Sequence, residues 1–401
     1  MLILLCTFMV LFRCSESEAV TSLDVQNFTD TSFEMYPDFN IDYDNLDVLE
    51  NGMIAIAGYK NTSSKQILII VDPNKKDTLF SVINEDPVTI FRPIHLLPTQ
   101  NGNLIYLSHT PKEAGAFDMD INIVKLNSNG SVIWRSKIAE SNENEISNSI
   151  TQIPNGDFFI LGSNSFLDSE YKDFKIYRIS NDGELIFSKP IFQNLKLTSA
   201  NNLKYLPNDN SILILSTDKM ESLTKRKLQI TKFDLEGNEI ASSSIFENIE
   251  FELSPDGVKV LKDGSLLILY SIKNDSPSST NSMGIAKINI DFKVEWEKVY
   301  SSANPEFISD LIEIDDNELV VLSGGRQRLT NKEDITLIKL NEDGDILWRR
   351  IYGTKSLKRG RGLIQKVSGN FLLISSQEFQ IGSTYYMKLF TLETDTYGVP
   401  I

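Results

Sequence analysis

One pattern recurs along this chain and decides what it can fold into. Residues 334–348 read Asp-Ile-Thr-Leu-Ile-Lys-Leu-Asn-Glu-Asp-Gly-Asp-Ile-Leu-Trp, and residues 121–134 read Ile-Asn-Ile-Val-Lys-Leu-Asn-Ser-Asn-Gly-Ser-Val-Ile-Trp. Further copies run over 174–187 and 228–240, and weaker ones over 284–296, 67–72 and 387–393. Each full copy is an alternating apolar run, a turn rich in Asn, Asp and Gly, and a second run, which is the signature of a β-hairpin. A second hairpin precedes each copy. Its turn glycines are Gly52, Gly102, Gly156, Gly264 and Gly369, with Asn208-Asp209-Asn210 and Asp316-Asn317 in the two remaining places. The interval is about fifty to fifty-five residues, near the longer propeller repeats. Each unit therefore holds four short strands, a to d from inside to outside, and seven units cover about 42 to 401.

These units predict an all-β chain: a seven-bladed β-propeller of four-stranded antiparallel blades. Stacked blades bury both faces of each sheet, and a closed ring limits exposed edges. Trp134, Phe187, Trp296 and Trp348 recur at one place in the outer strand and are expected to pack between blades. The last unit lacks a d strand, whereas an orphan segment with Phe33 lies upstream of unit one. Residues near 30–36 are thus expected to supply the outer strand of the seventh blade and close the ring. The expected division is a signal segment over 1–20 and one propeller domain over 21–401.

Charge and cysteine usage narrow the function. The net charge is -16, from 55 acidic and 39 basic residues, which lacks the basic footprint of a nucleic-acid binder. Both cysteines, Cys6 and Cys14, lie in the first fourteen residues, so the body has no disulfide and no thiolate metal site. Two histidines, His95 and His109, are too few for a histidine-rich metal centre. Leu2 to Phe12 is an apolar run too short to span a bilayer comfortably and reads as the core of a secretion signal. Cys14 followed by Ser-Glu-Ser-Glu resembles a bacterial lipoprotein signal, with the acidic stretch similar to a surface-export signal of Bacteroidetes lipoproteins. Arg13 stands where such signals carry a small residue.

Trp348-Arg-Arg-Ile-Tyr-Gly353 and Leu337-Ile-Lys-Leu-Asn341 resemble the motif of repeat propellers of secreted and surface Bacteroidetes proteins. That resemblance covers nearly the whole mature chain and implies fold and export, with no single activity. Gly344 to Trp348 and Gly130 to Trp134 are also similar to the quinone-binding propeller repeat, a pattern shared by the propeller lipoprotein of outer-membrane β-barrel assembly. The adjacent cysteine pair of a quinone-dehydrogenase site has no counterpart here.

The connections point to a working face. Turns a–b and c–d are tight, whereas b–c and d–a are longer and gather at the other end, with long examples at 109–120, 163–173, 217–227, 272–283, 324–334 and 377–384. Binding usually resides on such loops. Arg326 and Arg328 are placed in the b–c loop of unit six, and Lys355, Lys358, Arg359 and Arg361 in the connection to unit seven. This basic cluster suits a carboxylate, sulfate or phosphate. Other candidates are weaker. Asp118-Met-Asp120-Ile-Asn122 lacks the central glycine and closing glutamate of a calcium loop. No serine or cysteine can be paired with His109 as a nucleophile from sequence. His95 reads as structural, and Asp315-Asp316 as turn acids. Asp343-Gly344 matches the sialidase aspartate box only loosely.

The expectation is an exported monomer without cofactor, metal or nucleic acid. It would be an outer-membrane lipoprotein facing the cell surface or periplasm, or secreted if Cys14 carries no lipid. It would touch the membrane only through that lipid and hold a protein or glycan ligand on its long-loop face. The alternative is a carbohydrate-active hydrolase or lyase with acids at the channel mouth.

Overall fold

Short alternating runs punctuated by Asx and Gly turns yield strands and almost nothing else. The computed structural model describes residues 32–33, 39–40, 46–49 and 53–401, less 61–64, 72–77, 85–92, 112–118, 141–143, 165–172, 193–196, 220–225, 250, 273–281, 301–305, 327–332, 353–358 and 382–383. Strand β1 is Ser32–Phe33. Sheet 1 holds β2 (Phe39–Asn40), β3 (Leu46–Val48), β4 (Ile54–Lys60), β5 (Lys65–Val71) and β6 (Thr78–Asn84). Sheet 2 holds β7 (Pro93–Pro98), β8 (Leu104–Pro111), β9 (Met119–Leu126) and β10 (Val132–Ile138). Sheet 3 holds β11 (Ile146–Gln152), β12 (Phe158–Ser163), β13 (Phe174–Ile179) and β14 (Leu185–Ile191). Sheet 4 holds β15 (Leu197–Leu206), β16 (Ser211–Lys219), β17 (Arg226–Phe233) and β18 (Glu239–Ile249). Sheet 5 holds β19 (Phe251–Val260), β20 (Leu266–Ile272), β21 (Ser282–Ile288) and β22 (Val294–Tyr300). Sheet 6 holds β23 (Glu306–Glu313), β24 (Leu319–Arg326), β25 (Glu333–Leu340) and β26 (Ile346–Tyr352). Sheet 7 holds β27 (Arg359–Gln365), β28 (Phe371–Ile381) and β29 (Thr384–Thr394), with β1 beside β29.

Every pairing is antiparallel, and the one helical element among the described residues is a single 3-10 turn at Asp315–Asn317. The expected four-stranded antiparallel repeats are therefore present in six sheets, whereas sheet 1 carries a fifth strand, β2, paired with β4 beside β3. Successive first strands β3, β7, β11, β15, β19, β23 and β27 each lie against the next, and β27 lies against β3. Ser32 stands opposite Phe390 and Phe33 opposite Leu389, on the edge of β29 where Pro400 bridges Thr394.

The core lies between sheets. Each apolar cluster draws on two consecutive sheets, as Ile121 and Ile123 do with Phe158 and Ile160. Residues two apart in a strand face one neighbour, and the intervening ones face the other. The outer-strand aromatics serve these joints. Trp134 Nε1 donates to Asn181 O of the next sheet at 3.0 Å, and Trp296 Nε1 donates to Glu342 O at 2.9 Å. The turn glycine beyond each carbonyl gives the indole its room. Gly344 has φ +78, and a Cβ on it would stand 2.9 Å from the Trp296 ring. Tyr300 and Tyr352 add buried hydroxyl donations of 2.7 Å to Gly344 O and Gly398 O.

The joint between sheets 4 and 5 reverses this arrangement. The aromatic slot holds Ala241, opposite Lys232, and the turn-glycine position holds Phe292 at φ 61. Lys232 Nζ lies 4.8 Å from the Phe292 ring, much as Lys125 Nζ lies 5.9 Å from Trp134. The ring comes from the turn instead of the strand, against a left-handed penalty of about 1–2 kcal/mol. Phe292→Gly should relieve that strain but empty the joint, lowering stability by about 2–3 kcal/mol. Ala241→Trp in the same chain should restore at least half, while alone it should crowd the joint. Denaturant midpoints of the four chains test this; a double variant no better than Phe292→Gly would contradict it.

Candidate functional site

The ends of the sheets are unlike. Among the described residues the a–b and c–d turns close within a few residues through repeated hydrogen bonds. In the turn opened by Asn341, its Oδ1 accepts from Asp343 N and Asp345 N, and Asn127, Asp234, Asn289 and Asp395 each accept two backbone N–H groups in the same way. The opposite end carries the longer connections, the longest running from 164 to 173. Two expected long connections are absent. Residues 377–381 continue β28 and β29 begins at Thr384, opposite Ile381, and β18 and β19 are separated only by residue 250. The strands simply run on past the point where glycine and polar residues suggested that pairing would stop.

The basic residues also move. Arg326 is the last residue of β24, paired with Glu333, rather than part of a loop. Arg359 begins the inner strand β27, and Arg361 sits half-buried at its bulge between Gly360 and Gly362. Pairing to Ser376 and Ser375 draws this stretch into the sheet. Strands β24 and β27 are neighbours. Arg328, Lys355, Lys358, Asp118 and Cys14 lie outside the described residues, as do the side chains of Arg326 and Arg359.

The structure does pair a serine with His109. The Ser147 backbone N–H donates to His109 Nε2 at 2.7 Å, and Ser147 Oγ lies 2.9 Å from the same nitrogen. Nε2 is then the acceptor, which assigns the ring proton to Nδ1. Burial, with the charge of His95 second, pushes His109 down to about 3. So weak a base, at 1% exposure, is unsuited to activating Ser147 for catalysis. His95 is structural: its Nε2 lies 2.8 Å from Asn148 O of the next sheet. Asp310 Oδ2, accepting from Leu363 N at 2.9 Å, and Ser149 Oγ, accepting from Leu203 N at 3.2 Å, make similar ties between inner strands. Among the described residues no group of three His, Cys, Asp or Glu is placed to hold a metal.

A cleft of about 890 Å³ lies at the long-connection end of sheet 3, and a smaller one of about 260 Å³ lies at the tight-turn end between sheets 4 and 5. Three segments build the larger one. The connection after β10 supplies Glu140 and Asn144; the ends of β12 and β13 supply Ser163, Asn164, Asp173 and Lys175; β14 supplies Ser188 and Pro190. Lys175 Nζ donates to Glu140 Oε2 at 2.5 Å. Burial opposes ionisation of Glu140, but hydrogen bonds from Lys175 and Ser188 and the Lys175 charge hold it below the ordinary range. Asn164 Nδ2 donates to Asp173 Oδ2 at 2.8 Å, and Asn164 N donates to Asp173 O at 3.1 Å. The cleft thus offers fixed carboxylates, amides and hydroxyls with one ammonium already paired. Sequence reading missed it because its walls converge from segments with no shared motif.

No protein-family model matches the chain, and no curated protein matches it. Solved structures do. A polysaccharide lyase aligns at TM-score 0.53 and 10% identity over 87% of this chain and 89% of its own. A protein of unknown function from Dyadobacter fermentans DSM 18053 aligns at 0.50 and 13%, over 91% and 98%. An apocarotenoid oxygenase of Synechocystis aligns at 0.49 and 11%, over 78% and 72%. The likeness to the lyase, with the repeated four-stranded sheets, gives the fold as a β-propeller.

Proposed function

We propose that the chain is an exported, monomeric seven-bladed propeller whose long-connection end holds a glycan or protein ligand, without cofactor or nucleic acid. Two observations support the ring: β27 lies against β3, and β1 continues the edge of β29 that Pro400 begins. The lipid on Cys14 and an outer-membrane, surface or periplasmic location belong to this proposal, on the signal-like sequence of residues 1–20. The basic residues Arg326, Arg328, Lys355, Lys358, Arg359 and Arg361 are kept as a proposed site for an anion. One observation carries the choice of face: turns at one end are sealed by their own hydrogen bonds, whereas the other end carries the larger cleft.

Directional immobilisation tests the face, because the chain has no cysteine beyond Cys14. With Cys6 and Cys14 removed, a chain tethered through Asp343→Cys should keep binding to a glycan array. Tethering through Ala139→Cys, an exposed position just past β10 at the long-connection end and outside the cleft lining, should block it. Equal signals from the two orientations would sink the assignment. The second reading is a carbohydrate-active hydrolase or lyase, favoured by two carboxylates, Glu140 and Asp173, on one cleft. Release of new chain ends from a polysaccharide would select it.

A further inference from the structure

We infer that the sheet 3 cleft is a binding site for a neutral oligosaccharide. The inference rests on the long-connection end being the working face, and names the ligand class there. The volume, about 890 Å³, lies in the range of small-molecule sites and exceeds the needs of a single ion. Its polar groups match hydroxyl groups. The Glu140 and Asp173 carboxylates only accept hydrogen bonds, whereas the Asn144 and Asn164 amides and the Ser188 hydroxyl both donate and accept. A sugar hydroxyl also does both, so each wall group finds a complement.

The charge selects against anionic sugars. Among the described lining residues Lys175 is paired with Glu140 and Asp173 adds a second carboxylate, so a uronate or sulfate would meet a net negative wall there. This is a different selectivity from that of the basic residues around β24 and β27. The groups are also fixed before a ligand arrives. Asp173 is held by Asn164 through side chain and backbone, and Asn144 Oδ1 accepts from Met119 N at 2.7 Å. Little ordering cost then remains for binding. Pro190 is exposed and gives the C–H face of a sugar ring an apolar wall.

Calorimetry of the full chain with neutral and uronic-acid oligosaccharides tests the inference. Neutral oligosaccharides should bind, and Asp173→Ala should weaken them about 10- to 100-fold, the loss of a hydrogen bond to a charged acceptor. Ser188→Ala should weaken them less, and circular dichroism and melting curves of both variants showing a folded chain guard against misfolding of Asp173→Ala. Failure of every neutral oligosaccharide to bind would overturn the inference. So would uronic-acid binding that survives Asp173→Ala and is lost in Arg359→Ala/Arg361→Ala. Neutral binding that persists in both cleft variants, yet is blocked by tethering through Ala139→Cys, would overturn the cleft and leave the face intact. Binding blocked by tethering through Asp343→Cys would overturn the face itself.

Discussion

Between pH 6.5 and 4.5 the protein is expected to lose about 2–3 kcal/mol of stability through His109 alone. The folded state holds this imidazole down to about 3, while an unfolded chain leaves it near the ordinary 6.5. A group depressed by folding contributes its full stabilisation above the unfolded value. As pH falls, the unfolded state takes up the proton first, and the folded state is penalised. The cause is burial: the ring is 1% exposed, and its Nε2 already accepts the Ser147 N–H, so protonation there forfeits that bond. Carboxyls held low by the fold, such as Glu140 and Glu393, begin to add to the slope near the acid end, so the difference from His109→Gln isolates the histidine. Denaturant melts at half-unit steps should show it, and His109→Gln should flatten it while lowering stability at neutral pH. A wild-type curve level from 6.5 to 4.5 would refute the account.

Deleting residues 24–40 should cost more. It removes β1 from the edge of β29 and β2 from the edge of β4. If the chain closes as a ring, sheet 7 then exposes an open edge, and the contact between first and last sheets loses its clasp. For a chain of this size, a loss of several kcal/mol corresponds to a fall in melting temperature of about 5 °C or more. A peptide of residues 24–40 added in trans should recover part of it. An unchanged melting curve would remove the closure from the proposal.

The repeat was readable because each unit spells its turns and alternation alike. The joint aromatics were readable for the same reason: Trp134, Phe187, Trp296 and Trp348 share one slot. The exchange of Ala241 and Phe292 was not, since no local pattern says that a ring missing from a strand arrives from a turn in the next sheet. Ser147 lies 38 residues from His109, so their contact follows from the stacking of sheets rather than from spacing. The strand ends were misjudged at Arg326, Arg359 and Gln377, where polar residues pair within sheets whose apolar centres carry them. The cleft draws on a connection and two hairpins, and its chemistry emerges only on assembly.

One repeated contact has a mirror image. In sheets 3 to 6 a cation on the third strand meets an acid in the first turn: Arg178 with Asp157, Lys232 with Asp209, Lys287 with Asp263, Lys339 with Glu318. In sheet 7 the signs are exchanged, with Glu393 on the strand and Lys366 in the turn, 2.6 Å apart. Near-identical hairpins in one chain are prone to pair with the wrong partner while folding. A third strand from sheets 3 to 6 laid against the first hairpin of sheet 7 would set cation against cation, and β29 laid on theirs would set acid against acid. The last sheet therefore carries a polarity lock that sorts it from its siblings, so the chain can repeat a motif without losing count of it.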